Sequence, residues 1–399
     1  MASSNLSPVP SYNIPTESDE RSKTLYALLQ QGHREVALLL GPKLLFHSHV
    51  PHKLGSAYCL GASVDQMKEM YQTETVGLNY EKKTENDLFI REGVTRENWQ
   101  DLINNKSYTN SFTEFFDQEV SQANGDWKSV VNQYLFDSSN PLINGFIGGL
   151  GHPLIHLAYA YELQCPQVAT EALSLACTER DYTFRFMDLP SSVVNFSLRE
   201  ILTKVHADPR FDNLFDLPGY ANIFAIFGAA EPALLEYWQA WEVSDPDRQL
   251  EEILDLAVLL TISTPSPEHQ YDFYFAHMLT VGHAVRLLLP HFPSEWVTPV
   301  IRQYWMFVLY LYIAQLRPDT SHLKLPSVVE SEKDWDFVKA QAFSGDFGYD
   351  SHRLKVLRAL KVAEETWGWK SGQYLASAVL FVQDFNGWTG FGRGVEGVE

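Results

Sequence analysis

The chain has 399 residues, 45% of them hydrophobic and 13% aromatic, which is enough to bury a large core. Fifty acidic and thirty basic side chains leave a net charge of −20. Such a surface repels phosphate backbones and anionic lipid, so neither a nucleic-acid nor a membrane partner is expected. Cys59, Cys165 and Cys177 show no CxxC spacing and sit in apolar stretches, which suits buried inert thiols in a reducing compartment.

The opening MASSNLSPVPSYNIPTESDER lacks the apolar core of a secretory signal. Residues 1–18 read as a flexible Ser- and Pro-rich arm, with one helical domain over 19–399. Helical spacing of apolar residues appears in SKTLYALLQQ (22–31) and in SAYCLGASVDQMKEMYQ (56–72), read as one helix. Residues 81–100 are polar and predict a surface loop with a short helix. TEFFDQEVSQ, WKSVVNQYLF, LIHLAYAYELQ and QVATEALSLAC all keep the helical period, with turn formers in SSNPLINGFIGGLGHP between the second and third.

EPALLEYWQAW, LEEILDLAVLLTI, DFYFAHMLTVGHAVRLLL, WVTPVIRQYWMFVLYLYIAQL and SHRLKVLRALKVAEETWG predict further helices, with QLRPDTSHLKLP as a connector. The apolar run AVLLTI (257–262) is too short to cross a bilayer, and a cytoplasmic protein is expected. GWTGFGRG (387–394) reads as a packed tail. Strand signals are few and no linker is visible. The fold class is all-α, a single large multi-helix domain.

The chemistry concentrates in four histidine-bearing segments. In GHPLIH, Pro153 suits a first helical turn, with His152 at the helix mouth and His156 one turn deeper on the same face. That pair suits a capping histidine and a metal pair equally well. FHSHVPH carries His47, His49 and His52; His49 and His52 are three apart, and His47 points elsewhere if the segment is extended. His277 sits among apolar residues of its helix, where a hydrogen-bonded core histidine is the common outcome. Thr280 is one turn on, and His283 faces away. SHRLK puts His352 and Lys355 on one face. A lysine there either snorkels or loses its charge by burial and, as a neutral amine, reacts with CO₂ to give a carbamate. His322 is an outlier in a loop. There is no GxSxG and no GxGxxG following a strand, and the glycine-rich GGLGH lacks a P-loop lysine.

In order, HSHVPHKLGSAYCLGAS, GGLGHPLIHLAYAYEL, YDFYFAHMLTVGHAVRLLLP and DSHRLKVLRAL resemble the questin oxidase-like family of fungal polyketide pathways, over about residues 25–390. The resemblance implies an oxygenase that inserts oxygen into, and cleaves or expands, a ring of an aromatic, anthraquinone-type polyketide. It also implies a mononuclear non-haem Fe(II) held by several histidines and a carboxylated lysine, with O₂ as co-substrate. Matched motif by motif, it makes His49, His152, His156, His277 and Lys355 the metal ligands and Thr280 a proton relay. His352, beside the lysine, is the other catalytic candidate, and His52 and His352 stand as alternative ligands. The chain departs from the family pattern at Ser48, where asparagine is common, which bears on a bond behind the ligands. Neutral imidazoles with a carbamate oxygen suit Fe(II) rather than a thiolate metal. With 24 Phe, 19 Tyr and 10 Trp, the chain has the material for an aromatic pocket. A zinc or other metal hydrolase, and a non-catalytic helical ligand-binding protein, are the competing classes.

Overall fold

The computed structural model describes residues 4–77, 93–138, 140–192, 196–327 and 333–392. Packing groups the chain into two compact units, an N-terminal unit of Ser7–Arg185 with Tyr349–Lys355, and a C-terminal unit of Met1–Leu6, Phe186–Gly348 and Val356–Glu399. One passage between them falls inside the helix Ser351–Trp367, where no linker composition could mark it. Both units are predominantly helical, as the periodicity predicts.

In the N-terminal unit the helices are α1 (Glu20–Glu35), α2 (Val50–Leu60), α3 (Val64–Gly77), α4 (Thr109–Gln122), α5 (Trp127–Leu135), α6 (Gly148–Leu163) and α7 (Pro166–Thr178). Two short strands, β1 (Leu39–Leu40) and β2 (Phe46–His47), pair antiparallel before α2. The side chain of Asp19 accepts from the Ser22 N–H and so opens α1. Helix α6 packs on α7 and α2, and α7 also packs on α4. Both α6 and α7 are buried on nearly every face, which is why their sequences read as apolar all round.

Two sequence expectations change here. The helix expected over 56–72 is two, because Gly61 at φ 99° ends α2 in the left-handed conformation. Ser63 and Gln66 then bond each other's backbone N–H groups in a capping box that starts α3. The arm expected over 1–18 is tied down at Tyr12, whose N–H donates to the Glu162 carbonyl, and at Ile14, which is buried. The loop expected over 81–100 lies outside the described residues up to 92. Its described end enters a short 3₁₀ turn at Trp99–Leu102.

In the C-terminal unit the helices are α8 (Leu198–Ala207), α9 (Ala221–Ala229), α10 (Glu231–Gln239), α11 (Pro246–Ser263), α12 (Phe273–Leu288), α13 (Ser294–Ala314), α14 (Trp335–Ala342), α15 (Ser351–Trp367, from Val356 on) and α16 (Gln373–Asp384). Helix α12 packs between α11 and α13 and is capped by Asp272, which accepts from the N–H groups of Tyr274 and Phe275. The described part of the tail, at β4 (Trp388–Thr389), pairs parallel with β3 (Tyr271–Asp272). Among the described residues no helix is long and apolar enough to cross a membrane. Cys165 and Cys177 are buried and Cys59 is half-buried. Burial pushes the Cys165 thiol up to about 12, which keeps it protonated and inert.

Candidate metal centre

Two helix starts build the site in the N-terminal unit. Pro51 sits in the first turn of α2, and His49 occupies the N-cap without using its side chain to cap. Before the regular part of α6, Gly149, Leu150 and Gly151 all take positive φ, and Pro153 follows. The bend delivers His152 at the helix mouth, where its Nδ1–H donates to the Gly149 carbonyl at 2.6 Å. A side chain at Gly149 would be strained at φ 54° and would lie 2.7 Å from His47 Nε2, so glycine is what the turn admits.

Helices α2 and α6 approach closely at Gly55, where a Cβ would meet the Tyr159 ring at 2.6 Å. That approach sets His49 and His52, one turn of α2, against His152 and His156, one turn of α6. The Nε2 atoms of His49 and His152 are 3.0 Å apart. His52 Nε2 is 2.7 Å from His156 Nδ1. One donor atom from each of His49, His52 and His152 falls within a 4.8 Å set, the group among the described residues whose donors are spaced for one ion.

The outer ring nitrogens assign the inner ones. His152 spends its Nδ1–H on Gly149, leaving the Nε2 lone pair inward. His49 Nδ1 faces the Glu74 carboxylate at 3.8 Å, which draws its proton to that side. His52 Nδ1 is buried with no hydrogen-bond partner among the described residues. Three imidazole lone pairs in a buried pocket suit a divalent cation, and donors on one ion at about 2.1 Å lie about 3 Å apart. The residues therefore fit the implied metal. Burial first, then neighbouring His and Lys charges, pushes His52 and His152 well below the ordinary histidine range, so both rings are neutral at pH 7 and have a lone pair free to bind a cation. His156 is pushed down to about 3, mainly by burial.

Lys355 belongs to this unit and is 1% exposed. Its Nζ has no hydrogen-bond partner among the described residues. Burial brings it down to about 7, against the opposing pull of Asp350 and Glu74, so a large share of the amine is neutral at physiological pH. It does not snorkel. It lies within electrostatic reach of His52, His152 and His156. His352 is buried, its ring edge-on to His49 with centroids 4.6 Å apart.

His277 and Thr280 lie on α12 in the C-terminal unit, both buried. His277 Nδ1 contacts the Phe273 carbonyl at 2.8 Å, and the Thr280 hydroxyl donates to the His277 carbonyl at 3.3 Å. His283, in the same unit, is buried and pushed well down by burial and by Arg358 and Arg286.

Sequence reasoning missed the supporting shell. His47, expected to point away, stacks on His152 with ring centroids 4.0 Å apart. His47 Nε2 lies 3.5 Å from Glu179, which Lys106 meets at 2.6 Å. Burial would raise the Glu179 pKa, but His47 and Lys106 outweigh it and hold the carboxyl below its usual range. Glu74 pairs with Lys53 at 2.8 Å, both buried. The signal available was a glutamate inside an apolar helix, such as Glu171 in QVATEALSLAC. Such a residue must be paired to be buried.

A family model described as Questin oxidase-like matches residues 46–360. The chain is similar to a Baeyer–Villiger oxidase of Pestalotiopsis microspora, at 25% identity over 393 residues, covering 88% of this chain and 83% of that protein. It is similar to the questin oxidase of Aspergillus terreus, at 22% identity over 365 residues, covering 84% and 79%. It is also similar to an oxidoreductase of Aspergillus parasiticus, at 24% identity over 389 residues, covering 88% and 74%.

Proposed function

The chain belongs to the questin oxidase-like family and is an oxidoreductase with an oxidative role in secondary metabolism, and from that premise we propose that it is a non-haem iron oxygenase of an aromatic polyketide. The proposed reaction inserts oxygen beside a ring carbonyl of an anthraquinone-type substrate and opens or expands that ring. One observation carries the reading: the donor set of His49, His52 and His152 within 4.8 Å, in which His52 and His152 are buried and pushed well below the ordinary histidine range.

His49 and His152 would hold the ion through Nε2 and His52 through Nδ1. Lys355, as a carbamate, would add an anionic oxygen and offset part of the ion's charge. His156 backs His52, and His277 remains the ligand proposed from the family resemblance. Bound Fe(II) supplies the redox chemistry that lets O₂ react with an electron-rich phenolic ring. The histidines stay neutral and bind. The Gly149 carbonyl holds the outer N–H of His152 and fixes that ring, and the Glu74 carboxylate, 3.8 Å from His49 Nδ1, favours the proton on that nitrogen. Thr280 is proposed to carry a proton from the substrate hydroxyl.

Protein purified without oxygen and analysed for bound metal tests the reading. About one iron per chain, with a ferrous–nitric oxide electron paramagnetic signal, is expected. Stoichiometric zinc, with no gain of oxidase activity on adding iron, would favour a hydrolase.

A further inference from the structure

The histidine pair of α2 and α6 does not end at His156. His156 Nε2 faces Glu171 Oε2 at 3.8 Å, and both atoms are buried without a hydrogen-bond partner among the described residues. The other Glu171 oxygen meets His33 Nδ1 at 2.9 Å, and His33 Nε2 meets Asp117 at 2.9 Å. Thr170 holds the second Asp117 oxygen at 2.7 Å. A line of side chains thus runs from His52 to a half-exposed carboxylate on α4, through one histidine on α1 and one glutamate on α7.

We propose that His33 is a positioning residue for the metal centre, acting through Glu171 and His156 to decide which ring nitrogen of His52 faces the ion. The proposal rests on the metal-centre reading above. A carboxylate opposite His156 Nε2 draws the ring proton to that atom. The His156 Nδ1 lone pair then accepts the His52 Nε2–H across 2.7 Å. The lone pair of His52 is left on Nδ1, the buried atom without a partner. The opposing pull is the His152 carbonyl, 3.2 Å from His156 Nδ1, which favours the other tautomer and would turn His52 the wrong way. Glu171 wins that contest only while it is held in place opposite His156 Nε2. A buried carboxylate is costly without a partner, and His33 is that partner. His33 is raised to about 9 because its two carboxylate contacts outweigh its burial, so it is a cation at neutral pH.

The test loads the purified, metal-free full chain anaerobically with Co(II), a probe whose visible spectrum reports its ligand field. His33→Ala, Asp117→Asn and Thr170→Ala are compared with wild type for Co(II) affinity, visible spectrum and melting temperature. His33→Ala is expected to weaken Co(II) by about tenfold or more and to shift its spectrum, in the range that losing an outer partner of a ligating histidine costs. Asp117→Asn should show a smaller loss. Thr170→Ala should lower the melting temperature alone. If His33→Ala does not fold, His33→Gln keeps a donor toward Glu171 and should bind Co(II) with intermediate affinity. Wild-type affinity and spectrum in a folded His33 variant, or an equal Co(II) loss in Thr170→Ala, would overturn the positioning role and leave the metal centre standing. A wild-type chain that takes up no Co(II) would overturn the metal centre and this inference with it.

Discussion

His49 Nε2 and His152 Nε2 lie 3.0 Å apart, although 103 residues separate them in the chain. Each ring has its other nitrogen directed outward, to Glu74 and to the Gly149 carbonyl respectively. Two lone pairs held that close in a buried pocket repel each other unless a cation or a proton lies between them. The arrangement explains why a helix N-cap and a helix mouth, both polar by construction, are the places from which this centre is built.

Replacing His52 and His156 separately distinguishes ligand from support. His52→Ala is expected to lose metal by a hundredfold or more, and His156→Ala by about tenfold to a hundredfold, since an outer partner costs less than a ligand. Isothermal titration with Co(II) measures both. Equal losses, or a larger loss in His156→Ala, would return His156 to the inner set that the family resemblance implies.

Lys355 separates charge from burial. Lys355→Arg keeps a permanent cation beside neutral imidazoles, so bound iron should fall to near zero in a chain that still folds. Lys355→Met removes both charge and carbamate and should retain weak binding through the histidines. Metal content after anaerobic reconstitution reads the difference. In wild type, ¹³CO₂ should give a carbamate carbon resonance that both variants lack. Normal iron in Lys355→Arg would mean that the amine plays no part in the site.

His33 makes stability depend on pH with a definite sign. Its folded pKa, about 9, lies above the ordinary 6.5. The native state therefore binds the proton more tightly, and its contribution is fully present below about pH 6.5 and lost as pH rises through about 9. The contribution is on the order of 3 kcal/mol. Urea denaturation of wild type and His33→Ala between pH 6 and 10 should show a gap that closes at the alkaline end. A gap that widens with pH would refute the charged state.

Gly55 tests the helix approach. The Cβ in Gly55→Ala would meet Tyr159 at 2.6 Å, so α2 and α6 must separate or Tyr159 must turn. The expected cost is about 1–3 kcal/mol in stability. Because His52 and His156 ride on the same two helices, Co(II) affinity should fall as well. Unchanged melting temperature and affinity would mean that the contact is slack.

The sequence by itself determined the helical class, the helix starts at Pro51 and Pro153, and which histidines share a helix face. All of these are local consequences of spacing and capping. It also carried the family, because four separated segments keep their order. Tertiary structure alone decided that His52 joins His49 and His152 while His156 stands behind it, since that choice depends on how closely α2 and α6 approach at Gly55. Only the fold brought His47 onto His152, because a two-residue strand pairing with Leu39 sets where its ring points. Glu74, Glu179 and His33 were beyond reach for the same reason, and Glu171 showed only as a glutamate in an apolar helix with no partner named. A buried charge is identified by its partner, and each of these partners comes from a distant part of the chain.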